Sequence, residues 1–179
     1  QDRPFSMRLP VSPDIAQVQS AVDRLELGNG RDDPESQVEA LYQLATGEGL
    51  GSFVPPSSGC PSGGQGYGCF RPDALPIVLL FTDAPMHNGP GRSRPYADIL
   101  FPRPHFFSEA VDALRNIRAR VIGFNSGDLR ARRDLQAIAT DTGAVVPGGG
   151  PLVFDIGETG ASLDTRVVEA FALFADTAI

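Results

Sequence analysis

The sequence contains no lysine and no tryptophan, and only two cysteines and two histidines. All fifteen positive residues are arginine, which reads as a coding bias more than a functional choice. With a net charge of −7 and no basic stripe, nothing offsets the charge of a phosphate backbone, so nucleic-acid binding is disfavoured. No run of about 18 apolar residues occurs, so no segment reads as a membrane span. No basic-then-apolar leader stands at Gln1, so an export signal is expected upstream or already removed. The glycine-rich stretch Gly148–Pro151 lacks the Lys-Ser/Thr of a phosphate loop and does not open a helix directly.

What is present is ordinary for one soluble domain: 179 residues, 41% hydrophobic and 21% charged. The acidic balance suits a divalent cation better than an anionic partner. Cys60 and Cys69 bracket a Gly/Ser/Pro-rich stretch and read as a local disulfide, worth roughly 2–3 kcal/mol for a loop of this length. Free thiols, or a zinc site completed by His87 and His105, are the weaker readings, because the histidines stand at no familiar finger spacing. A disulfide implies an oxidising compartment, so an extracellular, cell-surface or periplasmic location is expected.

Residues 5–11 alternate apolar and polar and predict a short half-buried strand. Ser12, Pro13 and Asp14 open a helix whose buried stripe is expected to be Ile15, Val18, Ala21, Val22 and Leu25, stopping near Gly28–Gly30. Asp33, Pro34 and Glu35 predict a second helix start, with an acid as N-cap and proline at the first helical position. Val38, Leu41, Tyr42 and Ala45 form its inward stripe. Residues 46–69 read as loop.

Leu75–Thr82 is the strongest strand, and its five apolar residues Ile77–Phe81 imply burial on both faces, as in a parallel sheet covered by helices. A polar loop follows. A helix carrying Phe106, Phe107, Ala110, Val111, Leu114 and Ile117 comes next, then a short strand at Arg120–Phe124. Leu129 to Ala139 read as a helix that Gly143 ends. Short strands are expected at Ala144–Val146 and Leu152–Phe154. A last helix from Ser162 is expected to bury Leu163, Val167, Phe171 and Phe174. The alternation predicts an α/β fold, a doubly wound and mostly parallel sheet flanked by helices, in one domain over 1–179 with a loop insertion at about 47–74.

Ligands of open α/β sheets bind beyond the carboxyl ends of the strands, and Asp83 stands there, directly after the most apolar strand. Capping of the turn through Ala84 and Pro85 explains it equally. Asp32, Asp33 and Glu35 place three carboxylates in four residues, hard oxygen ligands that suit Mg²⁺, Mn²⁺ or Ca²⁺. A well-made helix N-terminus explains Asp33 and part of Glu35 without a metal.

Taken together, the stretches DDPESQVEALYQ and IVLLFTDAPMH resemble two segments of the I-like domain of integrin β subunits, within the von Willebrand factor A type. They stand in the family's order, with a cysteine-bearing loop between them, and the resemblance extends over nearly all of the chain. It implies a non-enzymatic, metal-ion-dependent adhesion or ligand-binding domain. Glu35 and Asp83 would hold the central cation, and Asp32 with the Pro34 carbonyl a neighbouring one. His87 and Asn88 would lie on the ligand rim. The partner, a protein or other extracellular ligand, would complete the cation's shell with a carboxylate. The chain departs from the family at Gly30, where an asparagine is usual, and this bears on the second cation.

The family's D-x-S-x-S motif is absent: Asp134, Asp141, Asp155, Asp164 and Asp176 all lack the continuation. The first two strands and first helix are therefore expected before Gln1, or from a second chain, and the edge of Leu75–Thr82 is expected to lack its central neighbour. Two other readings stand beside this one. One is a metal-free interaction module of the same fold. The other is an α/β hydrolase-like enzyme using Asp83 with His87 or His105 and Ser126, although no G-x-S-x-G motif occurs.

Overall fold

The computed structural model describes residues 4–26, 33–97, 100–146 and 148–177. Three parallel strands, β1 (Ile77–Thr82), β2 (Arg120–Asn125) and β3 (Val153–Asp155), pair in the order β1-β2-β3. Five α-helices are described: α1 (Ile15–Asp23), α2 (Gln37–Thr46), α3 (Phe107–Asn116), α4 (Leu129–Asp141) and α5 (Leu163–Thr177). The chain is thus α/β, with each parallel crossover made through a helix.

Alternate residues of a strand point to opposite faces, and each face here carries its own apolar cluster. Val78, Leu80 and Val121 pack with α2, α3 and α4 through Val38, Leu41, Leu114, Leu135 and Ile138. Ile77, Leu79, Ile122, Phe124 and Phe154 pack on the other side with Ala170 and Phe174 of α5. A fully buried leucine such as Leu114 stabilises the fold by about 2 kcal/mol relative to exposure. Gly123 lets α4 approach β2, since a Cβ there would lie 2.9 Å from Leu135 Cβ.

Helix boundaries follow local chemistry. The Asp14 carboxylate accepts from the N–H groups of Ala16 and Gln17 at the start of α1, and Asp128 caps α4 in the same way. Glu109 reaches back to the N–H of Phe106 at 2.7 Å at the start of α3. Gly47 ends α2 at φ 71°, a left-handed conformation that closes the helix through a bond to the Gln43 carbonyl.

Several expectations are corrected. Residues 5–11 form no strand; their tie to the body includes a bond from Val11 N–H to the Gly68 carbonyl. Helix α1 forms, but none of its residues is buried: Ile15 is 82% and Val22 54% exposed, because among the described residues only the irregular segment 7–12 faces that stripe, across an open cavity. The stretch 28–30, where that helix was expected to stop, lies outside the described residues. Helix α2 begins at Gln37 rather than at Pro34. Residues 144–146 contribute only a single bridge, Val145 to Pro151. In α5, Phe171 and Leu163 stay exposed while Ala170 and Phe174 enter the core. Strand β1 is not buried on both faces: all of Val121–Asn125 in β2 is buried, yet none of Ile77–Phe81 is, and Phe81 is 46% exposed. The reason is topological, since among the described residues β1 has a neighbouring strand on one side only.

Candidate functional site

The carboxyl end of β1 meets the start of α2, and the backbone makes that junction. Glu35 forms a parallel bridge with Met86: its N–H donates to the Pro85 carbonyl at 2.9 Å, and its carbonyl accepts from the His87 N–H at 2.8 Å. This pairing takes the place of the expected first helical turn. Asp33, expected as an N-cap, is instead held by Arg130, which also binds Asp128.

Side chains then lock the turn. Gln37 donates from Nε2 to Thr82 Oγ1 at 2.7 Å and to the Ala84 carbonyl at 3.0 Å. The carbonyl accepts only, so the amide nitrogen must face it. Gln37 Oε1 is thereby turned the other way, buried and without a hydrogen-bond partner among the described residues. A buried acceptor left unmatched costs about 1–3 kcal/mol.

These residues border a cavity of about 520 Å³, lined by Glu35, Gln37, Phe53, Phe81, Asp83 and His87 among others. Glu35 and Asp83, 48 positions apart, thus share one cleft at the carboxyl edge of the sheet. Pro34 lines it too, while Asp32 lies outside the described residues. Among the described residues no arginine lines it. His87 Nδ1 donates to the Arg94 carbonyl at 2.9 Å, and its ring stacks on Tyr96 at 4.1 Å. The Tyr96 hydroxyl donates to Ser36 Oγ at 2.8 Å, so this wall is tied to the approach to α2.

Asn88 is not a rim residue. It is 2% exposed, and its side chain donates to the carbonyls of Pro104 and His105 and accepts from the Tyr96 N–H. The loop after β1, expected to be a polar surface loop, is packed: Met86 is wholly buried, its N–H donates to Asp134 Oδ2, and Arg94 pairs with the same carboxylate. Burying the Asp134 carboxylate alone would be costly, and the partly exposed Arg94 guanidinium beside it offsets that cost.

The second histidine serves another centre. Glu39 of α2 is completely buried and accepts from His105 Nδ1 at 2.9 Å, the His105 N–H at 2.8 Å and Gln43 Nε2 at 2.7 Å. Burial pushes this carboxyl up, but the bonds from His105 and Gln43 outweigh it and hold it below its ordinary value. His105 also stacks on Tyr42 at 3.5 Å, and this assembly fastens residue 105 to α2. Gln37 and Glu39 had no part in the sequence-based site. The available signal was a glutamine at four and eight positions before the buried Leu41 and Ala45, on the inward stripe of the helix.

Cys60 and Cys69 form a disulfide, which sets aside free thiols and a zinc site there. Ser126 donates from Oγ to the Gly157 carbonyl at 3.0 Å and does not line the cavity that Asp83 and His87 share. Among the described residues no group of three or more His, Cys, Asp or Glu is disposed to hold a metal ion. Glu35 and Asp83 border the cleft and are hard oxygen donors, fewer than the roughly six or more that Mg²⁺, Mn²⁺ or Ca²⁺ takes, so the remaining positions would fall to water and a bound ligand. No helix among the described residues is long and apolar enough to cross a membrane.

No protein-family model matches the chain, and no curated protein matches it in sequence.

Proposed function

We propose that this chain is a non-enzymatic, metal-dependent ligand-binding domain of the von Willebrand factor A type, with a doubly wound sheet. The cation site is the cleft between β1 and the start of α2. The observation that carries this reading is the convergence of Glu35 and Asp83 on one cavity at the carboxyl edge of a parallel sheet. Glu35 and Asp83 would hold a hard divalent cation; Asp32 and the Pro34 carbonyl would serve a second. When bound, the cation supplies a fixed positive charge that a carboxylate of a protein or extracellular partner completes. The Glu35 bridge to Met86 supports the reading by holding that acid's backbone at the cleft, and the bonds from Gln37 to Thr82 and Ala84 hold the adjoining turn. His87 contributes a wall of the cleft. The disulfide supports an oxidising, extracellular setting for such a domain.

Isothermal titration with Mg²⁺ and with Mn²⁺ tests the reading. Binding is expected for the unsubstituted chain and is abolished in Glu35→Ala and in Asp83→Ala, with far-UV circular dichroism unchanged in both. Cation affinity that survives both substitutions would remove the metal from the site. The absence of a three-residue ligand cluster among the described residues favours a second reading, a metal-free interaction module of the same fold. An unsubstituted chain that takes up neither cation supports that one.

A further inference from the structure

Glu35 reaches the cleft on one backbone bridge, so whatever holds the far side of that bridge decides where its backbone sits. In a parallel bridge the bonds come from the residues flanking the partner, and the partner's own groups point away. Here they come from the Pro85 carbonyl and the His87 N–H, so Met86 turns its N–H and carbonyl to the opposite side. Two side chains meet them there. The N–H donates to Asp134 Oδ2 at 2.9 Å, and the carbonyl accepts from Arg94 Nε at 3.0 Å. Arg94 also binds Asp134, which closes the three residues into a ring. A carboxylate and a guanidinium thus give Met86 what a neighbouring strand would give it.

Asp134 belongs to α4, which is seated in the core through Leu135 and Ile138. Arg130 stands one turn earlier on the helix and binds Asp33, two positions before Glu35, at 2.7 Å. Helix α4 therefore reaches both chains of the bridge, but with unequal arms. Arg130 and Asp33 are 52% and 57% exposed, and an ion pair so open to water contributes little. The Asp134 side chain is 8% exposed and Met86 is wholly buried, so losing that carboxylate leaves a buried N–H unmatched. Overall stability by itself does not call for charges here, since apolar residues of similar volume would serve α4 as well. Only an acceptor and a donor placed together answer Met86.

We propose that Asp134 and Arg94 are positioning residues, which hold residues 85–87 and, through the bridge, the backbone of Glu35 at the carboxyl edge of β1. What that position does for a cation rests on the metal-binding reading; the clamp itself stands on the hydrogen bonds alone.

The test is amide hydrogen exchange of the whole chain, read by NMR in EDTA. It follows Glu35 and His87 in the bridge, and Gly123, whose N–H donates to the Leu152 carbonyl in the sheet. Asp134→Ala is expected to speed exchange at Glu35 and His87 by at least about tenfold relative to Gly123. Asp134→Asn keeps an oxygen for the Met86 N–H and is expected to recover part of that protection. Arg94→Lys keeps a charge beside Asp134 without the planar fork that also reaches the Met86 carbonyl, and is expected to loosen the same two amides. Arg130→Gln, on the exposed arm, is expected to change them by less than about twofold.

Exchange that rises alike at all three amides assigns the pair to overall stability and overturns the proposal, as does unchanged protection of the bridge. Where Asp134→Ala fails to fold, Asp134→Asn and Arg94→Lys carry the same comparison. An Arg130→Gln effect as large as that of Asp134→Ala overturns the ranking of the two arms. A separate Mg²⁺ titration without EDTA keeps this inference apart from the metal-binding reading. If the unsubstituted chain binds Mg²⁺, folded Asp134→Ala is expected to bind it at least about tenfold more weakly. Equal affinity with a loosened bridge overturns the positioning role at the cation. An unsubstituted chain that takes up no Mg²⁺ removes the cation, and the exchange at Glu35 and His87 then decides the clamp on its own.

Discussion

Glu39 is both buried and hydrogen-bonded on α2, facing the backbone and ring of His105. Its folded-state value lies below its ordinary 4.5. The contribution to stability is therefore present above the unfolded value and lost as the pH falls through the folded one. An acid titration monitored by circular dichroism should show destabilisation developing below about pH 4.5, and Glu39→Gln should flatten that limb. Glu39→Ala removes three hydrogen bonds at once, and urea denaturation is expected to register a loss of about 2–4 kcal/mol. Little change in midpoint would mean that water replaces the carboxylate. Gln37 is the counterpart at the cleft: its nitrogen is satisfied within the chain and its oxygen is not.

Elements differ in how firmly they belong to the molecule. Helices α3 and α4 pack closely on the sheet, and Gly123 shows how closely. Gly123→Ala places a methyl group against Leu135 and is expected to cost about 1–3 kcal/mol in thermal or urea unfolding. An unchanged stability would mean that α4 can retreat from β2 freely. Helix α1 is the opposite case. Its periodicity is sound and its cap is in place, yet its apolar stripe meets solvent. Val22→Ser is expected to change stability by less than about 0.5 kcal/mol, whereas Leu114→Ala should cost about 2–5. The same urea series checks both, and a large effect at Val22 would show that α1 is covered in solution.

At the scale of the whole molecule, the body of the fold is a three-stranded sheet with a core on each face, and a disulfide closes the long loop between α2 and β1. Reduction is expected to lower stability by about 2–3 kcal/mol without dissolving the sheet, which circular dichroism with and without reductant will read. Much of this architecture was legible from periodicity alone. The apolar run at β1, the β-branched strand at β2 and the helical stripes of α3 and α4 each carry their signal within a few residues. So did the acids Glu35 and Asp83, by type, and the disulfide, by spacing. What periodicity could not reach depended on partners far along the chain. The resemblance placed Asn88 on a rim, and neither it nor periodicity shows the carbonyls of residues 104 and 105 closing over that side chain. Periodicity began α2 too early because the Glu35 backbone is claimed by residues 85–87. It passed over Gln37 and Glu39 because an inward polar residue becomes meaningful only when its donors and acceptors are placed. The sequence by itself determined which segments are strand or helix, since those preferences are local properties of side chains and backbone. Only the tertiary structure decided which polar side chains are buried and how their donors and acceptors are met, because burial and hydrogen-bond satisfaction are properties of neighbours and not of residues.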